Sequence, residues 1–370
     1  MRIAMIGLRG VPAKYSGVET AVEEIGSRLV GQGHQVSVYC MAGAGGPYGG
    51  IYRGMNRIEI PTIKSKNLQM IVYSALSTLH AIRQGYDVIH LQALGPSTMA
   101  LLCWLTRRPV VVTCHGLDYK REKWGLLARL YLQLGEYVSA RFAREVITVS
   151  KSLKDHFQRV HGKRATYIPN GSREQARVEL GEYSQRYDIL PRNYVVFVGR
   201  LVECKRVDHL ISAFRRVHTD LKLVIVGDGP TEIVSRLKAV AGDSNQIVFT
   251  GALHGAELAA IFSNASLFVL PSVLEGLPLA LIEALAYDLP VVVSDIPENL
   301  EVVEDAGQYR AVVTTADDEC SLTEGLERAI AEFKSNNGLS SGNARFVSDK
   351  YDWDEVSRQT LKAYERTLGA

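Results

Sequence analysis

The chain has 370 residues, 46% hydrophobic and 22% charged, the profile of a folded protein of about two domains rather than a disordered one. Its net charge of +2 comes from 42 basic and 40 acidic residues, yet residues 1–172 carry +12 and residues 173–370 carry −10. Five scattered cysteines (Cys40, Cys103, Cys114, Cys204 and Cys320), with no CxxC pair, exclude a disulfide framework or zinc knuckle and suit a reducing cytosol.

From the first residue, strand-like apolar runs are expected at Arg2–Gly7, Gln35–Cys40, Asp87–Leu91, Val110–Cys114, Glu145–Val149 and Ala165–Ile168. Helix-like stretches lie between them, near 18–31, 67–84, 97–107, 122–143 and 151–160. The opening run to Gly7 is too short for the apolar region of a signal peptide. The uncharged run Val88–Thr106 is interrupted by His90, Gln92, Gly95, Pro96 and Ser97, so it reads as strand, turn and helix rather than a membrane span. The scheme then repeats. Strands are expected at Tyr194–Val198, Lys222–Val226, Gln246–Thr250, Leu267–Leu270 and Val291–Val293, and helices near 205–218, 230–240, 255–263, 278–286 and 320–335. A last amphipathic stretch runs from Trp353 to Leu368.

Strands apolar on both faces and separated by helices predict parallel sheets covered on both sides, and two such series predict two doubly wound α/β domains. The boundaries are expected at 1–172 with 352–370, and 173–351, the link passing through Pro169-Asn170-Gly171-Ser172.

Several polar residues fall at the carboxyl ends of these strands, where open parallel sheets take ligands. In Glu275-Gly276-Leu277-Pro278, Gly276 lets a ligand approach the backbone, and the amides of Gly276 and Leu277 precede a helix whose N-terminus favours an anion. Glu283 lies on that helix, where its carboxylate suits a pair of ribose hydroxyls, and Glu275 suits sugar hydroxyls. The alternative is a helix-capping and a solvated glutamate. Arg200, and Lys205-Arg206 at the next helix start, are cations where the helix dipole disfavours them; a phosphate group explains them, and so do plain surface positions. Gly227-Asp228-Gly229-Pro230 reads as a tight turn, and neither a Walker A loop nor a GxGxxG fingerprint is present.

In the first half, Gly17 precedes a helix and could present amides to a phosphate, or belong to a plain loop. His115 ends the run Val110–Cys114, as a site residue or a satisfied structural histidine. No His, Cys and carboxylate set stands at metal-ligand spacing, and no GxSxG elbow occurs. The stretch 119–144 has six basic and two acidic residues, with Leu127, Tyr131, Leu134, Val138 and Phe142 at helical spacing. It reads as a core helix with a solvated face, or as a surface for anionic lipid.

Together these residues resemble the retaining glycosyltransferases of family 4, which have the GT-B fold, along essentially the whole chain. Glu275 and Glu283 look like that family's E-x7-E motif, Arg200 and Lys205 its diphosphate clamp, Gly17 its glycine loop, His115 its active-site histidine, and Asn170-Gly171 its hinge. The opening Gly7-Leu8-Arg9-Gly10 through Tyr15, with Glu19-Thr20 and His115-Gly116-Leu117-Asp118, looks like a bacterial rhamnosyltransferase-like subgroup of polysaccharide enzymes. The chain departs from the family at Ser16-Gly17, where many members have Gly-Gly, at Ser172-Arg173 after the hinge, and at Ser294-Asp295-Ile296 before Pro297-Glu298.

The resemblance implies two Rossmann-like domains facing a cleft, the C-terminal helix crossing back to the first. It implies transfer from a UDP-, GDP- or dTDP-sugar to a glycan or lipid-linked acceptor in cell-surface polysaccharide synthesis. Retention at the anomeric carbon, no metal and no cofactor besides the donor are part of that implication. The acceptor would bind the first domain and the donor the second. A cytoplasmic protein, touching anionic membrane through its basic half, is the matching location. No nucleic-acid partner is expected. A nucleotide-sugar epimerase on the same scaffold and a non-catalytic nucleotide-sugar or lipid binder are the other readings.

Overall fold

A computed structural model of the chain describes residues 1–13, 17–43, 50–63, 65, 68–122, 124–172, 175–304, 311–335 and 343–369. Tyr15, Ser16 and Arg173, singled out in the sequence, lie outside them, as does Lys123 of the basic stretch. The chain divides into two units, Met1–Gly171 with Asp352–Ala370, and Ser172–Tyr351.

The first unit carries β1 (Arg2–Ile6), β2 (Gln35–Met41), β3 (Ile51–Tyr52), β4 (Met55–Ile60), β5 (Val88–Gln92), β6 (Val110–Cys114), β7 (Glu145–Thr148) and β8 (Thr166–Tyr167), in the order β3-β4-β2-β1-β5-β6-β7-β8. Only the β3–β4 pair is antiparallel. Ile3, Ala4, Met5 and Ile6 are fully buried, as a strand covered by helices on both faces must be. The small hairpin of β3 and β4 escaped the sequence reading. β4 reads Met-Asn-Arg-Ile-Glu-Ile, where Asn56, Arg57 and Glu59 break the apolar pattern, and lies near the sheet edge.

The second unit carries β9 (Tyr194–Val198), β10 (Lys222–Val226), β11 (Ile247–Gly251), β12 (Leu267–Leu270), β13 (Val291–Ser294) and β14 (Ala311–Thr314), all parallel, in the order β11-β10-β9-β12-β13-β14. Its middle strands are apolar and buried, save that Val198 at the end of β9 is half-buried. The strand β14 and the helices Pro297–Glu304 and Asn343–Lys350 are additions to the expected elements.

Two predicted helices change shape. The stretch near 97–107 is two short helices, Leu94–Ser97 and Ala100–Leu105. The helix near 122–143 spans Leu126–Phe142, and its predicted apolar stripe is not one buried face. Val138 is buried, but Leu127 is 82% exposed and Leu134 is exposed too. The buried face is instead that of Leu132, Gly135, Glu136 and Ser139, and the predicted stripe lies beside it.

The helix Trp353–Gly369 packs on the first unit. Trp353, Val356, Ala363 and Tyr364 join Met5, Val22, Val38 and Ile168 in one core cluster. His90 is the polar anchor: Nδ1 bonds the Tyr364 hydroxyl and Nε2 bonds Thr113 Oγ1, both at 2.7 Å. Burial pushes the His90 pKa down to about 3, with nearby His115 adding to the fall, so its ring stays neutral.

Candidate active site

The strand order of the second sheet turns around between β9 and β12, so the loops leaving these strands flank its switch point. Three contacts tie that region. Val273 N donates to Cys204 O at 2.9 Å, and Leu201 N donates to Asp228 O at 2.9 Å. Lys205 Nζ donates to Glu275 Oε1 at 2.5 Å, the side chains being 16% and 10% exposed. An ammonium has three N–H donors, so this pair fixes Lys205 and leaves two N–H bonds for a ligand. Thus the structure brings Lys205 and Glu275 together across seventy residues.

The glycines of the 227–230 turn have a packing reason. A Cβ on Gly227 would stand 1.8 Å from Gly199 O, and one on Gly229 would stand 2.1 Å from Leu201 O. Gly227 also has φ +147°, which side-chain-bearing residues rarely adopt. The turn is shaped to let the loop carrying Arg200 press against it. Arg200 itself is exposed at the end of β9.

The expected double cation at a helix start is corrected. Lys205 sits on a 3-10 turn, Glu203–Lys205, and the helix Val207–Phe214 begins after Arg206. Arg206 has φ +48° and is turned to Asp317, with which it forms an ion pair, Nε standing 2.7 Å from Oδ1 while Nη2 donates to Oδ2 at 3.1 Å. The left-handed backbone separates the two neighbours, so one cation serves the switch point and the other a surface pair.

Pro278 is the N-cap rather than the first turn of the helix Leu279–Ala286. Among the described residues no side chain caps that end; Leu281 and Ile282 donate to Pro278 O, so the amides of Leu279 and Ala280 are the donors at this end, with the partial positive charge of the dipole behind them. Gly276 is half-buried just before it, Leu277 is buried, and Glu283 is half-buried on the helix itself. Below this loop lies a polar network that the sequence did not advertise. Asn299 Nδ2 donates to Ser294 Oγ at 2.9 Å and to Ser294 O at 3.2 Å, and Ser294 Oγ donates to Ser272 O. All three residues are buried. The network pins the backbone three residues before Glu275. Its only outward sign was a polar residue closing each apolar run.

In the first unit, Gly17 opens the helix Gly17–Gly31. His115 follows β6, and its Nε2 donates to Gln92 Oε1 at 2.8 Å. Burial pushes its pKa down to about 4, so at pH 7 the ring is neutral, with Nδ1 as the acceptor nitrogen. Gln92 ends β5, so His115 stands at the carboxyl edge of that sheet, near the β1–β5 switch point. Gly7 closes the same edge: a Cβ there would lie 2.5 Å from Gln92 O. Asn170 is buried, and a Cβ on Gly171 would lie 2.6 Å from Trp353 Cδ2. Gly171 and Ser172 mark one crossing between the units, Tyr351 and Asp352 the other. Ser172 N donates to Tyr351 O at 2.6 Å, so the two crossings run side by side.

An apolar surface completes the first unit. The helix Leu126–Phe142 exposes Leu126, Leu127, Leu130, Leu134 and Tyr137, and the helix Ala100–Leu105 exposes Trp104 and Leu105. The Trp104 ring lies 5.1 Å from that of Phe142, so the two helices present one patch. Arg107, Arg129 and Arg141 are exposed around it. No described helix is long and apolar enough to cross a membrane.

Comparison with known proteins gives two family matches: "Glycosyltransferase Family 4" over residues 15–173 and "Glycosyl transferases group 1" over residues 192–332. An MMP alpha-(1->4)-mannosyltransferase of Mycolicibacterium hassiacum is 32% identical over 316 residues, covering 80% of this chain and 74% of its own length. The alpha-maltose-1-phosphate synthase of Mycolicibacterium smegmatis is 27% identical over 398 residues, 99% of each chain. Among solved structures, HepE of Anabaena in complex with UDP-glucose superposes with a TM-score of 0.80 at 19% identity, over 98% of each chain.

Proposed function

This chain belongs to glycosyltransferase family 4, with the GT-B fold, and is a glycosyltransferase of polysaccharide or glycolipid synthesis; we propose that it works with retention and without a metal, on a nucleotide-diphosphate sugar. The observation that carries this reading is the Lys205–Glu275 pair, held at the switch point beside the uncapped start of the helix Leu279–Ala286. Arg200, Lys205 and the amides of Gly276 and Leu277 stabilise the leaving diphosphate, where negative charge grows as the sugar departs. Glu275 receives sugar hydroxyls and orients Lys205. Glu283 receives the ribose hydroxyls, and Gly17 lets the backbone of the first unit approach the donor. Neutral His115 contacts the transferred sugar, and Asn170-Gly171 acts as the hinge.

In this reading the bond from the anomeric carbon to the diphosphate oxygen breaks on the face where the acceptor oxygen bonds. The acceptor's proton passes to that diphosphate oxygen. One carbon–oxygen bond replaces another, configuration is kept, and no protein nucleophile takes part. The cations and amides balance the diphosphate charge in place of a metal. HepE, solved with UDP-glucose, supports a nucleotide sugar as donor. A thermal-shift screen of UDP, GDP, ADP and dTDP selects the base, because a ligand at a hundred times its Kd stabilises the native state by about 2.7 kcal/mol. With the matching α-linked donor, NMR of the product is expected to show an α linkage. A β-linked product, or donor epimerised without acceptor, would overturn the reading.

The acceptor side is proposed to meet an anionic membrane surface, as an acceptor joined to a lipid phosphate requires. Exposed leucines with Trp104, ringed by arginines, fit the interfacial layer of such a surface. The protein is expected to sediment with anionic vesicles, less so as salt rises, and Leu127→Asp with Leu130→Asp should abolish it. Equal binding to neutral vesicles, or none at low salt, refutes the membrane contact.

A further inference from the structure

Away from every residue assigned to transfer, two helices of the first unit converge on one buried carboxylate. Glu136 lies on the inner side of the helix Leu126–Phe142 and is 3% exposed. His156 and His161 lie on the helix Lys151–His161. Both imidazoles turn Nε2 to the same atom, Glu136 Oε1, at 2.8 Å and 2.6 Å. One ligand atom from each of the three residues lies within 4.8 Å of the others. The second carboxylate oxygen, Oε2, is buried and makes no hydrogen bond of full geometry among the described residues, the Tyr119 hydroxyl being the further polar group that faces this carboxylate. A buried carboxylate with an acceptor so poorly satisfied is a costly arrangement unless something else completes it.

We propose that Glu136, His156 and His161 form a divalent metal site, selective for Zn²⁺ among the common biological cations. Two imidazoles and one carboxylate are a recognised zinc donor set, with Zn–N near 2.0–2.1 Å and Zn–O near 2.0–2.2 Å. In a tetrahedron of such bonds, neighbouring ligand atoms stand roughly 3.3 Å apart. The present separations of 2.8 and 2.6 Å need to open by only about half an ångström or a little more. Each imidazole would then carry its proton on Nδ1 and offer the Nε2 lone pair. Three protein ligands leave one position for water.

The surroundings suit a cation. His161 is the last residue of its helix, which Gly162 ends with φ +63°. The negative end of that helix dipole therefore lies beside the site. The rings of Phe157 and Tyr137 stand 5.7 Å and 6.5 Å from that of His161 and hold its plane. The Tyr119 hydroxyl lies 3.5 Å from His156 Nε2, on the rim. A metal here would staple the helix Lys151–His161 to the inner face of the helix whose outer face carries Leu127, Leu130 and Leu134. Its role is structural. No motif marks the site because its ligands come from two helices, with His156 twenty residues after Glu136.

The test uses the full chain, stripped with a chelator, dialysed, and titrated with Zn²⁺ against a chromophoric competitor. The expected result is one saturable equivalent bound with sub-micromolar affinity. His161→Gln keeps a hydrogen-bond donor near the position of Nε2, so it preserves the fold while losing a ligand. It and Glu136→Gln should each weaken binding by at least about 100-fold, the upper range for losing an outer partner of a metal ligand. Cys204→Ser with Cys320→Ser should bind as the parent does. Co²⁺ in the same site should show d–d absorption without a thiolate charge-transfer band. No saturable binding, binding unchanged in folded His161→Gln and Glu136→Gln, or binding lost with the cysteines overturns the proposal.

Discussion

Replacing Lys205 by alanine is expected to lower kcat/KM by about 10²–10³, or 3–4 kcal/mol of transition-state stabilisation, the scale of one preorganised contact to developing charge. The size follows from its setting. Lys205 is held by Glu275 at 2.5 Å and is 16% exposed, so its charge is aimed before the donor arrives and little reorganisation is needed. The loss should fall mainly on kcat, because the leaving diphosphate is more negative in the transition state than in the donor. Steady-state rates measured by nucleoside-diphosphate release decide the matter. Near-parental turnover in the variant would remove Lys205 from the clamp. Arg206→Ala is the internal contrast: it breaks a pair with Asp317 and should leave kcat close to that of the parent.

Trp353→Ala should destabilise the first unit by about 3–5 kcal/mol, the range for truncating a large buried aromatic. Trp353 is 1% exposed within the central cluster and lies against Gly171 so closely that a Cβ on that glycine would clash. Three tryptophans occur in the chain, Trp104, Trp124 and Trp353, all within the first unit. Fluorescence of the remaining two therefore follows that unit alone, while far-ultraviolet circular dichroism follows both. In urea the fluorescence transition should move to lower concentration, and the part of the dichroism belonging to the second unit should stay. An equal shift of both transitions would show that the two units unfold as one.

Much of this architecture can be read from residue order. Buried parallel strands such as Ile3–Ile6 and Val195–Phe197 are apolar on both faces, and that pattern survives any detail of packing. Periodicity was less reliable for the Leu127–Leu134 stripe, since a helix of apolar residues looks the same whether protein or another medium covers it. The pairing of Lys205 with Glu275 had no local signature. Family resemblance named the two residues separately, and the fold brings them together through strands that are neighbours in space but not in sequence. The buried link from Ser272 through Ser294 to Asn299 was invisible for the same reason, as was the cluster around Glu136. Backbone conformation was also hidden: the left-handed Arg206 that parts two adjacent cations is not a position where sequence alone suggests a turn.

The side-by-side crossings at Gly171–Ser172 and Tyr351–Asp352 bear on the order in which the protein is born. A ribosome delivers β1 to β8 before β9 to β14, but the core of the first unit also needs Trp353, Val356 and Tyr364, which emerge after both. All of β9 to β14 is made in between, and domains tend to fold as they emerge. The first unit is thus finished only after the second has been made, and until then it carries an open apolar trough. A chain stopped shortly before Trp353 would keep that trough, and such surface is what makes partly folded chains stick to one another.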